Sequence, residues 1–357
     1  MLEEGHCFDM SRQNIVFRYL SAFSAIFVAA STAGVAHGHH SPSSYDPAAE
    51  VVVSGVVSNY EWANPHVYIF LETPTDGGNR ERWRIEGAAP AMMRRRGWTS
   101  ESLSIGDAVT VRGNPGRNGR RIIRLIGLST EDGVELSNRA LQFDAPSEKI
   151  SSTTSLAGIW VAEGRGSAWR VFTNPKSLPL TSRGLTALGE FDERDSNGIH
   201  CIPYTVPMMM LLPDVKSIEI LPGVVRIRGE FDDTVRTIDM NASSHDRAAP
   251  SYLGHSIGRW EGDTLVIDTA AYLPHAQGIA TGLASSPLKH TVERLSLDAD
   301  GLSFTYSVFL EDAEQLASPV SGEMIYHYRP DLSFAGLKCD PDNARRFLET
   351  EPGRVRD

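Results

Sequence analysis

Short runs of alternating apolar and polar residues recur along the first third of the chain. Residues 51–74 (VVVSGVVSNYEWANPHVYIFLETP) form two such runs that separate at Asn64-Pro65, and residues 81–87 (ERWRIEG) form a third. Alternation with a period of two predicts β-strands with one buried face. A short helix is predicted over residues 88–98, and a hairpin that turns at residues 114–119 supplies two more strands. Five strands with one helix between the third and fourth are typical of an OB-like barrel, with a generic small β-barrel as the alternative.

The same alternation continues from residue 156 to the C-terminal region. At least eight short runs follow one another there, and the turn signals between them include Pro222-Gly223 and Glu261-Gly262-Asp263. Consecutive runs of this kind predict an antiparallel β-barrel or sandwich. The first run contains Gly158-Ile159-Trp160, which resembles the Gly-x-Trp start of lipocalin-type barrels. The predicted fold class is therefore mainly β, with an OB-like small barrel followed by a larger antiparallel lipocalin-like barrel or sandwich.

A change in composition separates the two regions. Residues 39–131 contain no lysine, whereas residues 132–155 are polar and weakly periodic. We therefore predict an OB-like domain over residues 39–131, a linker over residues 132–155 and the larger β domain over residues 156–350.

The N-terminal region has the pattern of a secretory signal if Met10 is taken as the true start. Arg12 and Arg18 precede an apolar run over residues 22–30, and small residues follow before His37. The apolar run is shorter than a membrane span requires. We assign residues 1–38 to a signal region and predict a periplasmic or secreted protein that does not span a membrane.

Charge and motifs limit the classes of function. The formal net charge is −11, and an acidic exported protein is a poor binder of nucleic acid. The sequence contains no P-loop, GxGxxG, HExxH or EF-hand pattern, so we predict no nucleotide cofactor. Cys201 and Cys339 follow the signal region, and in an oxidising compartment they form either one long-range disulfide or two separate thiols.

The histidines after the predicted signal are candidate metal ligands. His37, His39 and His40 lie at this position, and His66 closes the run Trp62-Ala63-Asn64-Pro65-His66. A free N-terminal amine with imidazoles suits Cu(II), either through His39 or His40 with His66, or through His37-Gly38-His39 alone. The alternative is a polar arm that binds no metal, with His66 packing at the start of a strand.

Candidate acid–base residues concentrate in the second β domain. His255 and Asp268 fall on the two strands of a predicted hairpin, and His290 begins the next strand. We expect these side chains to meet at one barrel mouth with Arg236 or Arg294. There His255 would act as general acid or base, Asp268 would orient it, and an arginine would hold an anionic intermediate. The alternative is that all five are ordinary strand residues.

Two segments resemble known but uncharacterised families. The runs HHSPSSYDP, VSGVVSNYEWANPHVYIFLE and WRIEGAAPAMMRRRGWTSESLSIGDAVTVRG resemble a family of exported bacterial domains of unknown function, from His39 to about Leu128. The run GHSIGRWEGDTL resembles a group of uncharacterised exported proteins of soil bacteria, although Asn241 to His245 depart from the turn that is usual there. The first resemblance implies export and an N-terminal histidine, and neither implies an activity.

Two functions follow as alternatives. The first is binding of a small, largely apolar ligand, because a β-barrel interior is the default site when no catalytic motif stands out. The second is an isomerase, lyase or hydrolase that acts on a hydrophobic metabolite at His255.

Overall fold

The computed structural model of the protein describes residues 44–75, 78–138, 150–163, 166–351 and 354–355. The predicted signal region and His37, His39 and His40 lie outside these residues. Among the described residues, no helix combines the length and the hydropathy that are needed to cross a membrane.

The first β region is a small closed barrel. Strands β1 to β5 close because β3 pairs in parallel with β5, and β6 extends the sheet beyond β5. A short helix, α1, lies between β3 and β4, as the sequence predicts for an OB-like barrel. The elements are β1 (Val51–Glu61), β2 (Tyr68–Pro74), β3 (Arg80–Glu86), α1 (Pro90–Arg94), β4 (Ala108–Pro115), β5 (Ile122–Thr130) and β6 (Glu135–Ser137).

The alternation seen in the sequence builds the core of this barrel. In β4 the inward residues Val109 and Val111 are buried, and the core also includes Leu71 and Ile85. Trp98, which follows α1, is fully buried and donates from its indole nitrogen to the backbone oxygen of Ser137, 3.0 Å away. The segment after α1 is thereby fixed against the barrel.

The second β region is a closed barrel of nine strands, which confirms the larger barrel. Its strand order is β10-β11-β12-β15-β16-β17-β7-β8-β9. The strands are β7 (Gly158–Ala162), β8 (Lys216–Leu221), β9 (Val224–Gly229), β10 (Thr234–Asp239), β11 (His255–Glu261), β12 (Thr264–Ala270), β15 (His290–Leu297), β16 (Ser303–Glu311) and β17 (Val320–Tyr328). One pairing departs from the predicted antiparallel order: β10 and β11 are parallel, because residues 240–254 carry the chain back to the same end of the barrel.

Further elements lie on the connections and the C-terminal tail. Between β7 and β8 are α2 (Ser167–Phe172), α3 (Ser182–Glu190) and α4 (Met208–Leu211). The hairpin β13 (His275–Ala280) and β14 (Leu283–Ser285) follows β12. The tail contains α5 (Pro341–Arg345), β18 (Glu349–Glu351) and β19 (Arg354–Val355).

Side chains fill the interior of the nine-strand barrel. Trp160 meets Phe304 edge-on with ring centroids 4.7 Å apart, and Phe304 stacks on Tyr326 at 4.8 Å. Arg236 and Glu293 form an ion pair among these buried groups. The barrel interior, where the sequence predicts a ligand site, is therefore occupied by packed side chains.

Candidate functional site

The C-terminal tail docks on the first barrel at Asn64 and His66. Asn64, which is 3% exposed, pairs with Cys339 and donates from its amide nitrogen to the backbone oxygen of Leu337, 2.9 Å away. The side chain of Asn343 binds the backbone of His66 twice, accepting from its amide at 3.2 Å and donating to its carbonyl at 2.9 Å. The Trp62 to His66 motif therefore has a docking role that its sequence does not reveal.

A disulfide joins this tail to the second barrel. Cys201 and Cys339 are bonded, with Cα atoms 5.5 Å apart. Of the two alternatives left open by the sequence, the structure has the disulfide. A buried ion pair also links the barrels, since Arg95 donates to both carboxylate oxygens of Glu230, at 2.5 and 2.6 Å.

An apolar cavity of about 210 Å³ lies where the tail, the first barrel and the second barrel meet. We call it the apolar cavity, because most of the side chains on its wall are apolar and its polar residues include Asp232, Gln277 and His66. The Cys201–Cys339 disulfide forms part of its wall. The largest apolar groups are Ile199, Ile202, Tyr204, Met208, Leu212 and Phe231.

A second cavity of about 380 Å³ adjoins the first. His66, Leu212 and Phe231 line both cavities. Because Arg96 and Arg124 line the second one, we call it the arginine cavity. The two together form a cleft with an apolar end and a basic end.

Burial shifts the pKa values of two ionisable groups of the cleft, Asp232 and Arg96. Burial raises the pKa of Asp232, although its hydrogen bond from the Thr234 hydroxyl acts in the opposite direction. Burial and the neighbouring Arg95 lower the pKa of Arg96 to about 10. Both shifts indicate that water solvates these charges poorly.

His66 lies at the junction of the two cavities. Its Nδ1 is 3.0 Å from the backbone oxygen of Gly87 and 3.6 Å from the carboxylate of Glu86. Because a carbonyl oxygen only accepts, Nδ1 carries the proton, and the lone pair is on Nε2. This is the arrangement of a histidine that binds a metal or accepts a proton through Nε2.

The other predicted copper ligands, His37, His39 and His40, lie outside the described residues. In the part of the chain that the structure describes, no group of three or more His, Cys, Asp or Glu residues is arranged to hold a metal ion. His66 fits the predicted donor set as one imidazole ligand, and the N-terminal amine and histidines would have to supply the rest.

Three of the predicted acid–base residues meet on the outer wall of the second barrel. His255, Asp268 and His290 take part in a row of hydrogen bonds with His245 and Glu311, which we call the histidine chain. His255 Nδ1 lies 2.8 Å from His245 Nδ1, and His245 Nε2 lies 2.9 Å from Asp268 Oδ1. His290 Nε2 is 3.0 Å from the same Asp268 oxygen, and His290 Nδ1 is 3.0 Å from Glu311 Oε1. Asp268 therefore contacts His245 and His290, and it is connected to His255 only through His245.

Within the histidine chain, Asp268 and His290 shift each other's pKa values. Burial would raise the pKa of Asp268, but hydrogen bonds and charge from His245 and His290 outweigh burial and lower it. Burial would lower the pKa of His290, but hydrogen bonds to Glu311 and Asp268 outweigh burial and raise it. An anionic Asp268 therefore lies between the His245 and His290 imidazoles and accepts a hydrogen bond from each.

The arginines predicted beside this site lie elsewhere. Arg236 is 1% exposed inside the barrel, where it binds Glu293 at 2.5 and 3.1 Å and Thr269 Oγ1 at 2.8 Å. Arg294 points to the outside, and its guanidinium donates to Glu261 at 2.8 Å. The expectation of one barrel mouth is therefore wrong: Arg236 faces inward on its strand, whereas His255, Asp268 and His290 face outward on theirs.

The run Gly254 to Gly258 also matches the Gly-x-Ser-x-Gly pattern of serine hydrolases. In those enzymes the serine lies exposed on a sharp strand-to-helix turn. Here Ser256 lies within β11, is 3% exposed and binds Arg236 at 3.1 Å. Its surroundings match a structural hydroxyl, and they do not match a nucleophile.

Sequence reasoning missed His245 and most of the cleft. His245 lies on the connection between β10 and β11, where no periodic pattern relates it to the strands. Of the cleft residues, the sequence marks the run Asn64-Pro65-His66 and the two cysteines. The run Arg94-Arg95-Arg96 signals a basic site, but only the fold separates the exposed Arg94 from Arg96 in the cavity.

Residues 27–124 match the model of a family of unknown function, DUF6152. This agrees with the resemblance of the first domain to an uncharacterised family. No curated protein matches the chain. The resemblance of the second domain remains a prediction, and the match supplies no activity for either barrel.

Proposed function

We propose that the protein binds a small, largely apolar molecule in the cleft between its two barrels. The observation that carries this proposal is the pair of adjoining cavities, walled by Ile202, Met208 and Phe231 and supplied with a few polar groups. A concave, mostly apolar site with few polar side chains is typical of small-molecule binding. We also propose export to the periplasm or beyond, on the signal pattern of residues 1–38.

The test is titration with N-phenyl-1-naphthylamine, a neutral apolar dye whose fluorescence increases on binding. Ile202→Trp places a bulky ring on the wall of the apolar cavity and should abolish binding of the dye. Ile105→Trp is the matched control, because Ile105 is 74% exposed and lines neither cavity. An undetectable dye signal with the unmodified protein, or equal loss in both variants, would contradict the proposal.

Copper binding is a second candidate, favoured by the geometry of His66. Its Nδ1 is held by the Gly87 carbonyl, so Nε2 is available to bind a Cu(II) ion. The N-terminal amine and a neighbouring histidine would supply the remaining ligands of that ion. Cu(II) titration of the processed protein is compared with a form that has an extra N-terminal methionine and with His66→Ala. The control is His327→Ala, since His327 is paired with Glu163 on the surface.

If His66 is a ligand, both the extra methionine and His66→Ala weaken copper binding. If His37-Gly38-His39 binds copper without His66, the extra methionine weakens copper binding and His66→Ala does not. Equal binding in all forms shows that neither the amine nor His66 is a ligand, and no binding to the processed protein refutes the copper proposal.

The histidine chain favours acid–base chemistry as the enzymatic alternative. His255 ends the chain, so a proton taken up there can be shared with His245, which is hydrogen-bonded to the anionic Asp268. The reaction would be an isomerisation, elimination or hydrolysis of a hydrophobic metabolite. If a metabolite screen finds a turnover, His255→Ala should abolish it and His327→Ala should not; unchanged turnover in His255→Ala would exclude His255.

A further inference from the structure

The arginine cavity contains a half-buried cation with an uncharged partner. Arg96 donates from Nη1 to the amide oxygen of Asn138, 2.7 Å away, and among the described residues it has no carboxylate partner. Its neighbour Arg95 differs, because Arg95 is paired with the buried carboxylate of Glu230. A desolvated guanidinium without an opposite charge favours binding of an anion.

The acidic groups on the same wall are already engaged. Glu86 accepts a hydrogen bond of 2.8 Å from the Tyr45 hydroxyl, and Asp214 forms a buried ion pair with Lys216. Arg124 lines the cavity as well and adds a second positive charge. Neither carboxylate forms an ion pair with Arg96, so its guanidinium is able to bind an anion in the cavity.

The opposite end of the cleft has different chemistry. Asp232 is the acidic residue of the apolar cavity, and its carboxylate accepts hydrogen bonds from the backbone and the side chain of Thr234. The remaining wall is mostly apolar and continues into the arginine cavity past His66 and Phe231. A ligand that fits both ends has one anionic group and an apolar body.

We propose that the ligand of the cleft is an amphipathic carboxylic acid, with its carboxylate on Arg96 in the arginine cavity and its apolar body in the apolar cavity. The guanidinium fork matches a carboxylate through two parallel hydrogen bonds. This inference rests on the proposed binding of an apolar molecule in the cleft, and it names the chemical class of that molecule.

The first test compares three probes that share one apolar chain: decanoate, decanol and decylamine, titrated calorimetrically at pH 7. Decanoate should bind roughly tenfold or more tightly than decanol, as expected for a charge-assisted hydrogen bond. Equal affinity for decanoate and decanol overturns the carboxylate assignment but keeps the proposed function. Tightest binding of decylamine also overturns it and points to Asp232 as the anchor. Absence of binding by all three contradicts the proposed function itself.

The second test uses Arg96→Gln, with Arg94→Gln as the matched control. Arg94 is the last residue of α1 and Arg96 lies in the turn that follows, but Arg94 is exposed and lines neither cavity. Arg96→Gln should remove the preference for decanoate and leave decanol binding unchanged, whereas Arg94→Gln should change neither. Equal loss of decanoate binding in both variants, or an unchanged preference in Arg96→Gln, overturns the proposal. If Arg96→Gln fails to fold, the comparison of the three probes on the unmodified protein still tests whether the cleft prefers a carboxylate.

Discussion

The Cys201–Cys339 disulfide should supply a large share of the protein's stability. It closes a loop with a sequence separation of 138 residues. In the chain-entropy model, closing a loop of this length in the unfolded chain is worth about 5 kcal/mol. Replacing both cysteines with serine should therefore lower the free energy of unfolding by an amount approaching that value.

The structure also predicts where the loss is felt first. Without the bond, the tail is held on the first barrel by hydrogen bonds at Asn64 and His66, each worth about 1 kcal/mol, and by the ion pair of Arg346 with Glu61. Hydrogen exchange should show that residues 337–343 lose protection before the barrel strands do. Since Cys339 lines the apolar cavity, dye binding should weaken in the same variant.

The assay is urea unfolding of the unmodified protein and of the double serine variant, each with and without reductant. Reductant should shift the midpoint of the unmodified protein toward that of the variant and leave the variant unchanged. A loss below about 1 kcal/mol, or an equal effect of reductant on both proteins, would refute the reasoning.

Three further predictions concern ionisable groups of the second β region. Burial lowers the pKa of His275 to about 4. The free energy of unfolding should therefore fall by about 3 kcal/mol as the pH is lowered from about 6.5 to 4. In His275→Gln this part of the pH dependence should disappear. Glu293→Gln should lower the free energy of unfolding by about 3–5 kcal/mol because it leaves the buried charge of Arg236 uncompensated. The control Glu323→Gln, at an exposed position, should change the urea midpoint little. Equal urea midpoints for the two variants would contradict this prediction. The raised pKa of His290 predicts stability that is complete below its unfolded pKa and is lost as the pH rises through its higher folded pKa. An NMR titration of His290 with a midpoint below 6.5 would be inconsistent with it.

Strands were predicted correctly where apolar and polar residues alternate along the sequence of the strand itself. The alternation in β4 and β16 is visible in the sequence, and the burial of their side chains follows it. The position of α1 between the third and fourth strands is also marked by local signals. No local signal marks the parallel pairing of β10 with β11, because this pairing depends on the path of residues 240–254, which lie outside any periodic run.

The structure brings the predicted histidines together with Asp268 but places Arg236 inside the barrel, and the catalytic role of these residues stays a prediction. A period of two shows which residues of one strand share a face, but it does not show which face of a polar strand points inward. Arg236 faces inward because Glu293, on another strand, neutralises it there. His245 was missed because it comes from a connection that only the fold brings beside His255.

The sequence by itself determined the mainly β architecture, the order of small and large barrels and the pattern of a secretory signal, because each depends on residues close together in the chain. Only the tertiary structure decided the disulfide, the histidine chain and the cleft. Their members lie tens to hundreds of positions apart, and their proximity depends on strand register and on how the tail packs against the first barrel. Arg96 is an example. The sequence shows that this residue is an arginine after a short helix, but only the fold shows that it is partly buried in a cavity beside the Asn138 amide, with no carboxylate partner among the described residues.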